Sequence, residues 1–125
     1  MSEESGRVVC IVDDDASLRR SLRNLLRSAG LRVETFESAE VFLESGPQDK
    51  TGCLVLDLRM PGMGGLALLR RLVASGSRIP VIILTAHGDE ETRQRSLQAG
   101  AMAFLEKPVQ GTALLEAVRS ALTVA

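Results

Sequence analysis

Tryptophan and tyrosine are absent from this chain of 125 residues, and phenylalanine occurs three times. With a net charge of -1 from 15 Lys+Arg against 16 Asp+Glu, composition carries no signal for nucleic-acid binding; if DNA is involved, another domain must bind it. No apolar stretch approaches the roughly 20 residues of a membrane span. The opening Met-Ser-Glu-Glu-Ser is polar and acidic, unlike a secretory signal, so the expected location is the cytoplasm with no membrane contact. Cysteine is scarce as well. Cys10 and Cys53 both lie inside apolar runs, where buried free thiols in a reducing compartment are expected rather than a bridge. Hydrophobic residues make up 45% and charged residues 25%, an ordinary globular composition that excludes disorder and collagen-like structure. The length suits one domain, 1–125, with 1–6 as an N-terminal tail.

No repeat, low-complexity segment or linker interrupts an alternation of two hydrophobic periods. Arg7 to Val12 is short, β-branched and followed by three aspartates, as a buried strand would be. Leu18, Leu22, Leu25, Leu26 and Ala29 then fall on one helix face that Gly30 ends. Leu31 to Phe36 alternates as a less buried strand, and Ser38 caps a short helix to about Glu44. Cys53 to Leu56 ends at Asp57; after a Met-Pro-Gly-Met-Gly-Gly turn, Leu66, Leu69, Leu72 and Val73 mark a third helix. Val81 to Leu84 ends at Thr85. A polar helix from about Glu90 to Ala99 follows, with Asp89, Glu90 and Glu91 at its positive end and Gly100 closing it. Ala103 to Glu106 is the last strand, and Leu114, Leu115, Val118, Ala121 and Leu122 form the inward face of a final helix.

Five strands alternating with five helices imply an α/β fold, a doubly wound (βα)5 arrangement around a parallel sheet. Strands one, three and four are apolar throughout and belong in the middle, which fits the flavodoxin-like order 2-1-3-4-5. In such sheets ligands bind outside the carboxyl ends of the strands, at the switch between strands one and three.

Reading the residues just after each strand gives Asp13, Asp14 and Asp15, then Asp57, Thr85 and Lys107. Carboxylates about 5 Å apart repel by roughly 3 kcal/mol at an effective dielectric near 20, so this edge needs a cation. An all-oxygen donor set without Cys or His suits Mg2+, with Mn2+ as an alternative, and disfavours zinc. A hydroxyl from Thr85 and an ammonium from Lys107 add a donor and a positive charge opposite the metal, as a transferring phosphoryl group requires. Asp57 is left as acceptor. With a divalent metal and Lys107, the formal charge of Asp13, Asp14 and Asp57 is neutralised, and a dianionic phosphoryl on Asp57 leaves a single negative charge.

These residues resemble the receiver (CheY-like) domain of two-component response regulators over nearly the whole chain. The matching pieces are Val12-Asp13-Asp14, Asp57 within LVLDLRMPGMGG, Thr85-Ala86 after VIIL, and Lys107-Pro108 within AFLEKP, in order. The resemblance implies that a sensor histidine kinase passes a phosphoryl group to Asp57. It implies that Asp14, Asp57 and the backbone carbonyl of Arg59 ligate Mg2+, with Asp13 acting through a metal-bound water. Thr85 and Lys107 would hold the phosphoryl oxygens, Phe104 would turn inward as Thr85 moves, and the Lys107-Pro108 bond would be cis. VDDD, DLRMP, TAHGD and EKP are similar to the FixJ-like subgroup, whose members usually carry a helix-turn-helix output domain controlling transcription. In that subgroup, phosphorylation remodels the face of helix four, strand five and helix five and promotes a homodimer. On that reading this chain is an excised or stand-alone receiver, with the output domain absent. Gly64 departs from the family, which usually has a polar residue there to cap helix three.

Other readings stand beside these. Asp15 reads as the cap of helix one rather than a ligand. Arg19, Arg20, Arg23 and Arg27 form a basic stripe, either a solvated face or a kinase-docking surface. His87 sits where receivers tune hydrolysis of the acyl phosphate, or is a plain loop residue. Helix four, with Leu97 as its one large apolar residue, is either simply exposed or cheap to move. Two alternatives compete with the switch: a Mg2+-dependent phosphohydrolase, disfavoured because Arg59 stands where such enzymes carry an acid, and a scaffold that works without phosphorylation.

Overall fold

The computed structural model describes residues 7–123; the 1–6 tail lies outside them. The elements are β1 (Val8–Val12), α1 (Ala16–Ser28), β2 (Val33–Phe36), α2 (Ala39–Ser45), a 3-10 turn (Gln48–Lys50), β3 (Thr51–Leu56), α3 (Gly65–Ala74), β4 (Val81–Thr85), α4 (Glu90–Gln98), β5 (Ala103–Glu106) and α5 (Gly111–Thr123). All five strands pair in parallel in the order β2-β1-β3-β4-β5, as the apolar character of the three central strands predicts.

Strand period divides the core in two. Cys10, Val12, Leu54, Leu56 and Ile83 face one side and pack with Phe42 of α2 and Leu68, Leu69 and Leu72 of α3. Val9, Ile11, Cys53, Val55, Ile82 and Leu84 face the other, under Leu22 and Leu26 of α1 and Leu114 and Val118 of α5. Cys10 and Cys53 therefore lie on opposite faces, both buried and free.

Several local expectations are corrected. Val73 is 52% exposed, and Leu68 takes the buried position on α3, because the inward face of that helix runs 65, 68, 69 and 72. Strand three begins at Thr51, two residues early: the Thr51 hydroxyl donates to Pro47 O at 2.7 Å and the backbone of Gly52 lies against Leu122. Of the basic stripe on α1, Arg20 and Arg27 are exposed, while Arg19 and Arg23 are half-buried. Arg19 Nη1 donates to Asp13 O at 2.6 Å, Arg27 Nη2 to Val33 O at 3.4 Å, and Arg23 Nε is buried. Among the described residues no helix is long and apolar enough to cross a membrane.

Candidate functional site

The carboxyl ends of β1, β3, β4 and β5 converge because register places them at one edge. Asp57 N–H donates to Val12 O at 3.0 Å, and Lys107 N–H to Thr85 O at 2.8 Å. Asp13, Asp14 and Asp57 each bring a carboxylate oxygen within 4.8 Å of the others; Asp13 and Asp57 are buried and Asp14 is exposed. Lys107 Nζ reaches across to Asp13 Oδ2 at 2.8 Å and Asp57 Oδ2 at 3.3 Å. Arg59 N–H points at Asp57 Oδ1 at 3.4 Å.

Burial sets the electrostatics. It pushes the Asp13 carboxyl above its ordinary value, against the pull of Lys107 and of the Asp15 N–H, which donates to Asp13 Oδ1 at 2.9 Å; the charge of Asp57 pushes the same way as burial. Burial works to lower Lys107, but the hydrogen bond and charge of Asp13, and then Asp57, outweigh it and hold the ammonium above its ordinary value. One ammonium against three clustered carboxylates leaves negative charge uncompensated. An oxygen-only donor set of that charge fits a hard divalent cation.

Asp13, Asp14, Asp57 and Lys107 come together, while Thr85 and Phe104 have surroundings of their own. Thr85 is fully buried, and its Oγ1 accepts the His87 N–H at 3.2 Å, tying the β4–α4 loop to the end of its strand. Phe104 is half-buried on β5 against the core. Asp15 caps α1, accepting Leu18 N–H at 3.1 Å, as expected of it. The Lys107–Pro108 peptide is cis. Gly64 stands at the α3 cap and supplies no side-chain bond. The next residue, Gly65, is forced: a Cβ there would run into the carbonyl of Asp57.

Three contacts have no signal in the spacing of the chain. Glu40 Oε2 on α2 accepts the N–H of Met63 at 2.9 Å, across 23 residues. The Glu106 side chain lies over Gly88, leaving no room for a Cβ in the β4–α4 loop. Arg19, read as a surface cation, covers the backbone of Asp13. The Pro61-Gly62 pair, a turn former, marks a constrained backbone beside the acceptor but does not point to Glu40.

Residues 9–119 match the model of the response regulator receiver domain. Over 118 residues the chain is 45% identical to response regulator protein TmoT of Ectopseudomonas mendocina, covering 94% of this chain and 54% of that protein. It is 45% identical over 114 residues to transcriptional regulatory protein FixJ of Azorhizobium caulinodans, covering 91% of this chain and 54% of the relative. The chain thus spans about half the length of these relatives. A crystal structure of FixJ-N superposes with a TM-score of 0.88 at 40% identity, over 100% of this chain and 98% of that one. With a family model matched over residues 9–119, a relative at 45% identity and a superposable fold, this chain belongs to the response regulator receiver domain family.

Proposed function

We propose that residues 7–123 form one phosphoacceptor unit of a two-component system, which takes a phosphoryl group from the phosphohistidine of a sensor histidine kinase onto Asp57. The observation that carries this reading is the convergence of Asp13, Asp14 and Asp57 within 4.8 Å under a shared Lys107. A carboxylate oxygen of Asp57 forms the new P–O bond as the P–N bond of the phosphohistidine breaks and the imidazole leaves. Lys107, already on Asp57 Oδ2, follows the negative charge onto the phosphoryl oxygens. The Thr85 hydroxyl turns to donate its O–H to another of them, and because the same oxygen accepts the His87 N–H, its movement carries the β4–α4 loop with it as Phe104 turns inward.

Asp14, Asp57 and the carbonyl of Arg59 would hold Mg2+, or Mn2+, with Asp13 reaching it through water. The ion would supply positive charge where the transferring oxygens gather it. The kinase docks on an apolar groove of about 540 Å3 between α1 and the start of α5, lined by Leu18, Leu22, Leu25, Pro108 and Val109 and reaching Lys107. The chemistry is confined to Asp57 itself, so the domain is a cytoplasmic switch rather than an enzyme acting on external substrates. Its α4–β5–α5 face pairs with a second copy when phosphorylated and controls an output, transcription by a DNA-binding domain.

Intact mass after incubation with acetyl phosphate and Mg2+ tests the acceptor. One adduct of about 80 Da is expected in the wild type and none in Asp57→Asn, because the amide cannot form the acyl phosphate. Full labelling of Asp57→Asn would place the acceptor elsewhere.

A further inference from the structure

We propose that Glu40 is a positioning residue for the metal and phosphoryl site, acting through the loop between β3 and α3; the inference rests on the phosphoacceptor reading above. That loop carries Arg59, whose carbonyl is a ligand in that reading. It is pinned locally by Arg59 N–H on Asp57 Oδ1 at 3.4 Å and by Gly65 N–H on Leu58 O at 2.9 Å. A polar side chain at position 64 would fix the loop where it enters α3, but Gly64 has none. The hold comes instead from the other side, where Glu40 Oε2 takes the Met63 N–H at 2.9 Å, one residue before that cap.

The loop is shaped to receive this carboxylate. Gly62 has φ +78°, and a Cβ on it would stand 2.5 Å from Glu40 Oε2, so the backbone approaches as only glycine allows. The Glu40 side chain is exposed, but its backbone is fixed. It sits in the first turn of α2, between buried Ala39 and Phe42, and Ser38 Oγ caps that helix by accepting Val41 N–H at 3.1 Å. A carboxylate accepting a backbone N–H is a charge-assisted bond, stronger than a neutral one. The Met63 N–H and Glu40's own N–H hold its carboxyl below the ordinary value. Met63 is not itself a ligand, so Glu40 works one step further out than a partner that bonds a ligand directly: it fixes the loop, and the loop fixes where the Arg59 carbonyl stands.

The chain has no Trp or Tyr to report binding, so Mg2+ titrations followed by backbone amide NMR shifts serve, alongside the acetyl phosphate mass assay. Glu40→Ala should weaken Mg2+ binding about tenfold and slow adduct formation to a similar degree. Glu40→Gln, whose amide oxygen accepts the same bond, should stay within about threefold of wild type. Glu40→Asp, which keeps the charge but draws the carboxylate back from the Met63 N–H, should fall with Glu40→Ala and decides the matter if Glu40→Ala does not fold. Wild-type affinity in Glu40→Ala or Glu40→Asp overturns the proposal. So does a loss in Glu40→Gln as large as in Glu40→Ala, since that would make Glu40 a distant charge rather than a clamp. If the wild type neither binds Mg2+ nor gains the adduct, the phosphoacceptor reading fails and takes this inference with it.

Discussion

At the scale of single residues, burial decides which groups are reactive. Cys10 and Cys53 lie inside the sheet, and burial pushes their thiols up to about 11 and about 12 from an ordinary 9.0, with the Thr51 hydroxyl at 3.3 Å partly offsetting the shift at Cys10. At pH 8 neither should react with a thiol reagent in the folded protein, and both should react once it is denatured. Rapid native labelling of either would contradict the packing. A raised thiol pKa makes a contribution to stability that is complete below pH 9.0 and is lost as pH rises towards 11 and 12. Lys107 acts with the same sign: held above 10.5, it favours the folded state up to that pH and ceases to as it loses its proton. The urea midpoint should therefore fall from about pH 9 upward. Lys107→Ala should remove the part of the decline that begins above 10.5.

At the scale of elements, α4 is the exception among the longer helices. Its one buried residue is Ser96, whose hydroxyl bonds back to Thr92 O at 2.9 Å, while Leu97 is 36% exposed. What holds it is local: Asp89 Oδ1 accepts Thr92 N–H at 2.7 Å, and Glu90–Arg93 and Glu91–Arg95 pair on an exposed face, where such pairs contribute little. Amide exchange in α4 should run at least about tenfold faster than in α1 or α5, and Asp89→Ala should accelerate it further. Protection equal to that of α5 would mean anchoring this geometry does not contain. The sequence made the element order legible because strand and helix periods alternate cleanly, and the three central strands betray their position by being apolar on both faces. Element ends were less legible. Thr51 reads as polar until Pro47 appears beside it, and the inward face of α3 is set by the crossing of that helix, not by where its leucines begin. Within the site, residues at strand ends were readable from spacing. Glu40 and Glu106 were not, because each acts on a glycine distant in sequence.

At the scale of the whole molecule, the site exists only when four strands are in register, since Asp13, Asp57, Thr85 and Lys107 come from different segments. A cation bound there is a ligand of the native state alone and must stabilise it. At a concentration about tenfold above its dissociation constant, Mg2+ should add about 1.4 kcal/mol and raise Tm by about 3–6 °C. Asp57→Asn should lose most of that rise, and calorimetry with and without the ion reads both. Gly65 has a further consequence for any survey of substitutions. Its α-carbon rests on the carbonyl of Asp57, where no other residue fits. In a saturation library sorted by phosphorylation, position 65 will score as intolerant as the acceptor while contributing no functional group, so depletion there will report volume and not chemistry.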